Sequence, residues 1–177
     1  PDLMKEAYDG RTGNYGLMDQ ILALQWVREN IEAFGGDPRR ISISGGSAGA
    51  ESVMLLCLSN VTRGWISGAV MQSAPLLEHR FSMEKAAEDG KHFLERIGYS
   101  SIEAARAESA EVLKQFGPDL DKGDSLFLAP CVDGVILEDI PLELLKKGYQ
   151  HDIPYIVGST DGEARSMRNR FFETPES

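Results

Sequence analysis

Cysteine, histidine and long apolar runs are all scarce in this sequence. The 177 residues include two cysteines and three histidines, and they contain neither a Cys-x-x-Cys pair nor a Cys/His cluster. The sequence therefore offers no metal site. Cys57 and Cys131 lie in apolar or compact segments and are predicted to be buried thiols. No apolar run approaches the roughly 20 residues that a membrane-spanning helix needs.

Basic residues are also few. Lys and Arg number 18 against 28 Asp and Glu, which gives a formal net charge of −10. A protein that binds a nucleic-acid duplex needs a basic face to displace counterions, so this charge balance argues against nucleic acid as a partner. The length is sufficient for one domain with its own core.

A serine framed by glycines is the most informative feature that is present. Ser47 stands between Gly45 and Gly49, after a short β-prone segment at 41–44 and before helix formers at 50–58. This context predicts a strand, a sharp turn and a helix, with the serine on the turn as a nucleophile elbow. Side chains at either glycine are expected to clash in so tight a turn.

The predicted elbow supplies two functional groups. The turn pushes the Ser47 hydroxyl clear of the sheet, and the helix that follows begins with the backbone N–H of Ala48. An N–H at a helix N-terminus can donate to a developing oxyanion. A phosphate-binding loop is the alternative, but the sequence has neither the Gly-x-Gly-x-x-Gly spacing nor the Lys-Ser/Thr pair of a P-loop.

The flanks of this serine extend the pattern well beyond five residues. The run Phe34-Gly35-Gly36, followed four residues later by Ile41-x-Ile43-x-Gly45-x-Ser47-Ala48-Gly49, resembles the active-serine signature of the type-B carboxylesterase and cholinesterase family of α/β-hydrolases. Other segments resemble landmarks of that family in the same order: Gly13 to Gln20, Ala23 to Val27, Ala69 to Ser73 and Val132 to Gly134. The resemblance runs from about Gly13 to Glu163.

This resemblance implies the fold class α/β: a partial α/β-hydrolase fold, with a mostly parallel sheet flanked by helices. Family members are much longer than this chain, so residues 1–177 are expected to form a single incomplete α/β-hydrolase domain. They would be its central portion, from before the nucleophile elbow to just past the acid of the catalytic triad. The upstream His-Gly-Gly segment that supplies other oxyanion donors in the family does not occur in the sequence.

The triad acid follows from the same resemblance. A serine nucleophile needs a histidine base and a carboxylate that orients the base. The strand from Pro154 to Gly158 and the loop after it resemble the acid-bearing segment of the family, in which glutamate stands five positions after the glycine. Glu163 occupies that position, and Asp161 is the rival acid on the same loop. The resemblance also implies that Ser73 sits beside the acid and orients its carboxylate.

The base is expected outside these 177 residues. In α/β-hydrolases the chain order is serine, acid, histidine. His79, His92 and His151 all precede Glu163, so each would break that order. They are predicted to be surface or packing residues.

The function implied by the resemblance is carboxylic ester hydrolysis through a serine acyl-enzyme, with a small-molecule ester as substrate and no metal or organic cofactor. Gly46 takes the place of a glutamate that cholinesterase-like members often carry, which favours a general ester over acetylcholine. The alternative is a catalytically silent, adhesion-type homologue that binds a protein partner. Such members commonly lose the serine, which this sequence keeps.

The triplet Asn60-Val61-Thr62 is a possible glycosylation acceptor in a predicted polar turn at 59–64. The family resemblance is consistent with a secreted protein or one of the endoplasmic reticulum lumen, where this acceptor would be used.

The remaining pattern predicts a helix, amphipathic with Phe34 on its buried face, at 17–34 and further helices at 50–58, 82–97, 102–107, 109–116 and 140–147. A strand is predicted at 41–44, buried strands at 68–72 and 153–158, an extended segment at 127–132, and loops at 1–16 and 117–124.

Overall fold

Three short strands pair in parallel to form one sheet. The computed structural model describes residues 3, 6, 13–74, 82–115 and 129–163. The strands are β1 (Ser42–Gly46), β2 (Gly68–Gln72) and β3 (Tyr155–Gly158), in the order β1-β2-β3. Because both pairings are parallel, the carboxyl ends of all three strands lie at one edge of the sheet. The predicted α/β class is confirmed.

Helices connect and cover these strands. They are α1 (Tyr15–Asn30), α2 (Ala48–Leu58), α3 (Met83–Arg96), α4 (Ile102–Arg106), α5 (Ala110–Lys114) and α6 (Pro141–Lys146), with 3-10 helices at Ile31–Phe34 and Asn60–Thr62. Most predicted elements occur with boundaries shifted by one to three residues. The predicted loop at 117–124 lies outside the described residues, as do Phe116, Phe127 and Leu128. The predicted loop at 1–16 is wrong in part, because Leu3 and Glu6 are helical and α1 already begins at Tyr15.

Helix α2 is buried on nearly all sides, and this fixes the elbow at its start. One face packs on the sheet in a cluster of Leu24, Ala50, Val53, Leu56, Cys57, Ile66, Ala69 and Met71. The other face carries Leu55, which packs with Leu17, Ile136 and Leu137 in a second cluster. A helix that is largely apolar and buried belongs in a core, so α2 is anchored from Ala50 onward, directly after the elbow.

A set of hydrogen bonds that we call the polar clasp joins the start of α1 to the segment before α6. The side chain of Asn14, 8% exposed, donates to Cys131 O at 2.7 Å and to Asp133 Oδ2 at 3.0 Å. Its Oδ1 accepts from Cys131 N–H at 2.8 Å. Asp133 Oδ1 accepts from the backbone N–H groups of residues 135, 136 and 137 at 2.8 to 3.0 Å. Two segments that resemble family landmarks, Gly13 to Gln20 and Val132 to Gly134, are therefore hydrogen-bonded to each other.

Both cysteines are buried and free, as predicted. Burial raises the pKa of the Cys57 thiol to about 11, while a hydrogen bond with Tyr155 acts in the opposite direction. Burial also raises the pKa of Cys131. Both thiols are therefore protonated at neutral pH and serve as packing groups.

Two apolar segments are more exposed than the sequence predicts. Phe34 is 72% exposed at the end of the 3-10 helix after α1, although the periodicity placed it on the buried face of the helix predicted at 17–34. The outer face of α1 also carries exposed apolar side chains, namely Tyr15, Met18, Leu22 and Trp26. In β3, Ile156 and Val157 are each 68% exposed, so the prediction of a buried strand is wrong at these positions. None of the described helices is both long and apolar enough to cross a membrane.

His151 is a packing residue, 3% exposed. Its Nε2 lies 3.0 Å from Ser59 O, which places the ring proton on Nε2. Within the described part of the chain, Nδ1 is buried and has no hydrogen-bond partner. Burial lowers the pKa of His151 and the nearby charge of Arg63 acts in the same direction, while the hydrogen bond with Ser59 O partly opposes them. The folded protein therefore favours the neutral ring.

This environment predicts that acidification destabilises the fold. Above the unfolded-state pKa of about 6.5 the ring is neutral in both states, and His151 imposes no cost. As the pH falls below that value the unfolded state binds the proton first, so the free energy of unfolding decreases, by at most about 1.4 kcal/mol per pH unit. Urea unfolding between pH 5 and pH 8 measures this slope. His151→Gln should remove that contribution, and identical slopes in the two proteins would contradict it.

Candidate active site

Ser47 occupies the turn between β1 and α2, as predicted. Its backbone has φ 55° and ψ −122°, a conformation that residues other than glycine rarely adopt. The turn is held from both sides, because Ser47 N–H donates to Gln72 O at 2.8 Å and Ser47 O accepts from Glu51 N–H at 3.1 Å. Backbone strain maintained in this way is common at functional sites.

The Ser47 hydroxyl does not cap the helix that it precedes. In the described part of the chain serine precedes three other α-helices, and there the hydroxyl caps the helix: Ser82, Ser101 and Ser109 each accept from the backbone N–H three residues later. The positive φ of Ser47 turns its side chain away from that role. The hydroxyl is therefore available to a ligand at the carboxyl edge of the sheet.

Gly45 makes the turn possible. A Cβ built on Gly45 would lie 2.3 Å from both the C and O atoms of Gly49 and 2.8 Å from Ala50 N. These are backbone atoms, so a side chain would force β1 and α2 apart. The same prediction for Gly49 is wrong for the described part of the chain, where an added Cβ meets no atom within 4 Å.

We expect Gly45→Ala to lower the free energy of unfolding by about 3 kcal/mol, the upper range for overpacking, because the clash involves backbone that cannot rotate away. Gly49→Ala is the matched control and should be neutral or slightly stabilising, since alanine is the better helix former. Urea denaturation of both variants measures the difference. Equal stability of Gly45→Ala and wild type would show that the elbow can open without cost.

Ala48 is the first residue of α2 and is exposed. The first N–H groups of a helix have no partner within the helix and carry the positive end of its dipole. The predicted oxyanion donor is therefore positioned directly after the serine.

Glu163 lies in the turn after β3, at the sheet edge where Ser47 also stands. Ser73, directly after β2, has φ 53°, and its N–H donates to Gly158 O at 2.7 Å. The Ser73 hydroxyl donates to Glu163 Oε2 at 2.6 Å. Asp161 is exposed in the same turn. Of the two rival acids, Glu163 is the one that Ser73 contacts.

A cavity of about 840 Å³ brings these residues together. Its lining includes Ser47, Ser73 and Glu163, with apolar side chains such as Met54, Leu58, Met71 and Leu145. Neither His92 nor His151 is among the lining residues, and His79 lies outside the described residues. The arrangement presents a hydroxyl and a carboxylate on an apolar surface, which suits a ligand that is mostly apolar with one polar group.

Asn60 belongs to a 3-10 helix at the end of α2. Its Nδ2 donates to Glu138 Oε1 and its Oδ1 accepts from Arg63 Nε at 2.9 Å. Arg63 in turn donates to Tyr149 O at 2.8 Å. Asn60 is exposed, whereas Thr62 is fully buried. Glycosylation at Asn60 stays a prediction.

Sequence reasoning missed two residues that hold this region in place. Thr160 donates to Glu163 Oε2 through its N–H at 3.1 Å and its hydroxyl at 3.5 Å. Asn14 anchors the polar clasp between the start of α1 and the segment before α6. A hydroxyl residue three positions before the proposed acid was a usable signal for Thr160. The side-chain contacts of Asn14 have no periodic pattern that a sequence could reveal.

Comparison with known proteins gives concordant results. A sequence profile of the Carboxylesterase family matches residues 4–177. The chain is 37% identical over 164 residues to the Crystal protein of Dictyostelium discoideum, covering 86% of this chain and 30% of that protein. It is 33% identical over 179 residues to the para-nitrobenzyl esterase of Bacillus subtilis, covering 97% of this chain and 35% of the relative.

A solved carboxylesterase structure also matches this chain. A carboxylesterase of Geobacillus stearothermophilus superposes with a TM-score of 0.75 at 34% identity, over 92% of this chain and 34% of that one. The present chain thus spans about a third of the length of the curated relatives it matches. The strands, the elbow and the family match all describe a portion of an α/β-hydrolase fold, and the chain belongs to the carboxylesterase family.

Proposed function

We propose that the protein is a carboxylic ester hydrolase that acts through a serine acyl-enzyme. Ser47 is the nucleophile and Glu163 is the triad acid, and the histidine base comes from chain outside residues 1–177. One observation carries the proposal. The Ser47 hydroxyl does not cap α2, and Ser47 lines the same cavity as Glu163, whose carboxylate accepts a hydrogen bond from Ser73. Membership of a family with esterase relatives supports ester hydrolysis in general.

The proposed chemistry follows the serine hydrolase pattern. Ser47 Oγ attacks the ester carbonyl carbon while the base accepts the hydroxyl proton. The carbonyl oxygen becomes an oxyanion that accepts a hydrogen bond from Ala48 N–H. Collapse expels the alcohol, which takes the proton from the base, and water then releases the acid by the same two steps. Glu163 stabilises the imidazolium that forms in each half-reaction.

Residues 1–177 are proposed to be the central portion of the catalytic domain. This portion carries the nucleophile, the acid and one oxyanion donor. Losing a single oxyanion donor typically costs ~10²–10³ in rate, and losing the base costs more. The isolated chain should therefore have little or no esterase activity, whereas the full-length protein has it.

The substrate is proposed to be a small ester with an apolar acyl or alcohol part. The lining of the cavity beside Ser47 includes the apolar side chains of Met54, Leu58, Met71, Leu145 and Val157, which would bind hydrocarbon. This agrees with a relative named para-nitrobenzyl esterase.

Fluorophosphonate labelling of the full-length protein tests the proposal. The reagent should label the protein stoichiometrically, and peptide mass analysis should locate the adduct on Ser47. Ester hydrolysis should fall in proportion to labelling. A full-length protein that neither labels nor hydrolyses short acyl esters would contradict the enzyme and favour the adhesion-type homologue instead.

A further inference from the structure

The loop after β3 is built around one carboxylate oxygen. Glu163 Oε2 accepts from Ser73, at the end of a neighbouring strand, and from Thr160, in its own loop. Thr160 O also accepts from Glu163 N–H at 3.3 Å, so Thr160 contacts both the backbone and the side chain of Glu163. The result is a closed turn in which the carboxylate folds back on the residue three positions earlier.

Ser73 and Thr160 belong to different segments, and together they restrict the Glu163 carboxylate more than Ser73 alone would. A glutamate side chain has three rotatable bonds, and Glu163 is in an exposed turn with little packing to restrict them. The Ser73 hydroxyl fixes the position of Oε2, but one hydrogen bond to one oxygen does not set the orientation of the carboxylate plane. Thr160 contacts the same oxygen from the loop side, with its N–H at 3.1 Å and its hydroxyl at 3.5 Å, the long limit of a hydrogen bond, and both contacts restrict the orientation of the carboxylate.

We propose that Thr160 is a positioning residue that orients the carboxylate of Glu163. The inference rests on the proposed function, in which Glu163 is the triad acid. Thr160 is absent from the residues that line the cavity, whereas its neighbour Ser159 is present among them. Thr160 therefore acts on the reaction through Glu163 and does not contact the substrate.

Because Thr160 does not contact the substrate, its replacement should affect kcat and not KM. A residue that orients the acid affects stabilisation of the imidazolium, which forms only as the reaction proceeds. Loss of the Thr160 hydroxyl should therefore lower kcat and leave KM unchanged. It should also move the acid limb of the pH profile to lower pH, because a less well-placed carboxylate raises the pKa of the base less.

The experiment compares Thr160→Val with Thr160→Ser in the full-length protein. Thr160→Val keeps the shape and the backbone N–H but removes the hydroxyl, and we expect kcat to fall about three- to tenfold. Thr160→Ser restores the hydroxyl and should be within twofold of wild type. Thr160→Ala repeats the deletion with a smaller side chain, and circular dichroism checks that each variant is folded.

A double variant sharpens the test. If Ser73 and Thr160 hold the same oxygen, Ser73→Ala combined with Thr160→Val should cost more than the product of the single effects. An unchanged kcat and pH profile in Thr160→Val, an effect confined to KM, or no restoration by Thr160→Ser would overturn the positioning role while wild-type turnover stands. A wild type without turnover or labelling at Ser47 would instead overturn the proposed function.

Discussion

Ser47→Ala should reduce kcat/KM of the full-length protein for a short acyl ester by at least ~10⁴-fold and abolish fluorophosphonate labelling. The reason is chemical, since alanine leaves no oxygen to form the acyl-enzyme. The fold should tolerate the change, because the Ser47 hydroxyl does not cap α2 and the turn is held by its backbone N–H and C=O. Steady-state hydrolysis and intact-mass analysis measure the two effects.

Ser44→Ala is the matched control. Ser44 lies on β1, the strand that leads to Ser47, is exposed, and is not among the residues that line the cavity. It should hydrolyse the ester within twofold of wild type and label normally. If Ser47→Ala kept measurable turnover and labelling, another serine would be the nucleophile and the elbow would have a structural role only.

Replacing the proposed acid gives the second large effect. Glu163→Gln should lower kcat by ~10³–10⁴-fold with KM little changed, because an amide cannot stabilise the imidazolium and can reverse the orientation of the base. Asp161→Asn changes a carboxylate in the same turn, two residues away. Since Ser73 contacts Glu163, we expect Asp161→Asn to stay within threefold of wild type.

The pair of variants discriminates between the rival acids. A large loss in Asp161→Asn together with a small one in Glu163→Gln would reverse the assignment and leave Ser73 oriented on a residue without a catalytic role. Large losses in both would indicate that the turn itself collapses, which thermal unfolding of the two proteins would reveal.

The elbow was predictable because its causes are local. Gly45 is required by atoms only four and five residues away, so the sequence around Ser47 contains the reason for its conformation. The strands and helices were predictable for the same reason. The position of Glu163 came from family resemblance, and its contact with Ser73 joins residues whose pairing depends on the order of the strands.

Exposure was the least predictable property. The periodicity of residues 17–34 correctly placed Leu17 and Leu24 in the core, but it also placed Phe34 there. Burial depends on which other segments cover a side chain, and a periodic pattern records only that the side chain is apolar. The same holds for Ile156 in β3, whose apolar character indicated a buried strand although the side chain is largely exposed.

The polar clasp also has a consequence for how the protein folds. Asn14 and Cys131 are 117 residues apart in the chain, so their hydrogen bonds form only after a long loop has closed. Loop closure of this kind carries an entropic cost and slows folding relative to local contacts. Leu137 reaches the core beside Leu55 through the segment that the clasp anchors. We therefore expect α2 to reach its final packing late, after the chain through Leu137 has been synthesised and has collapsed.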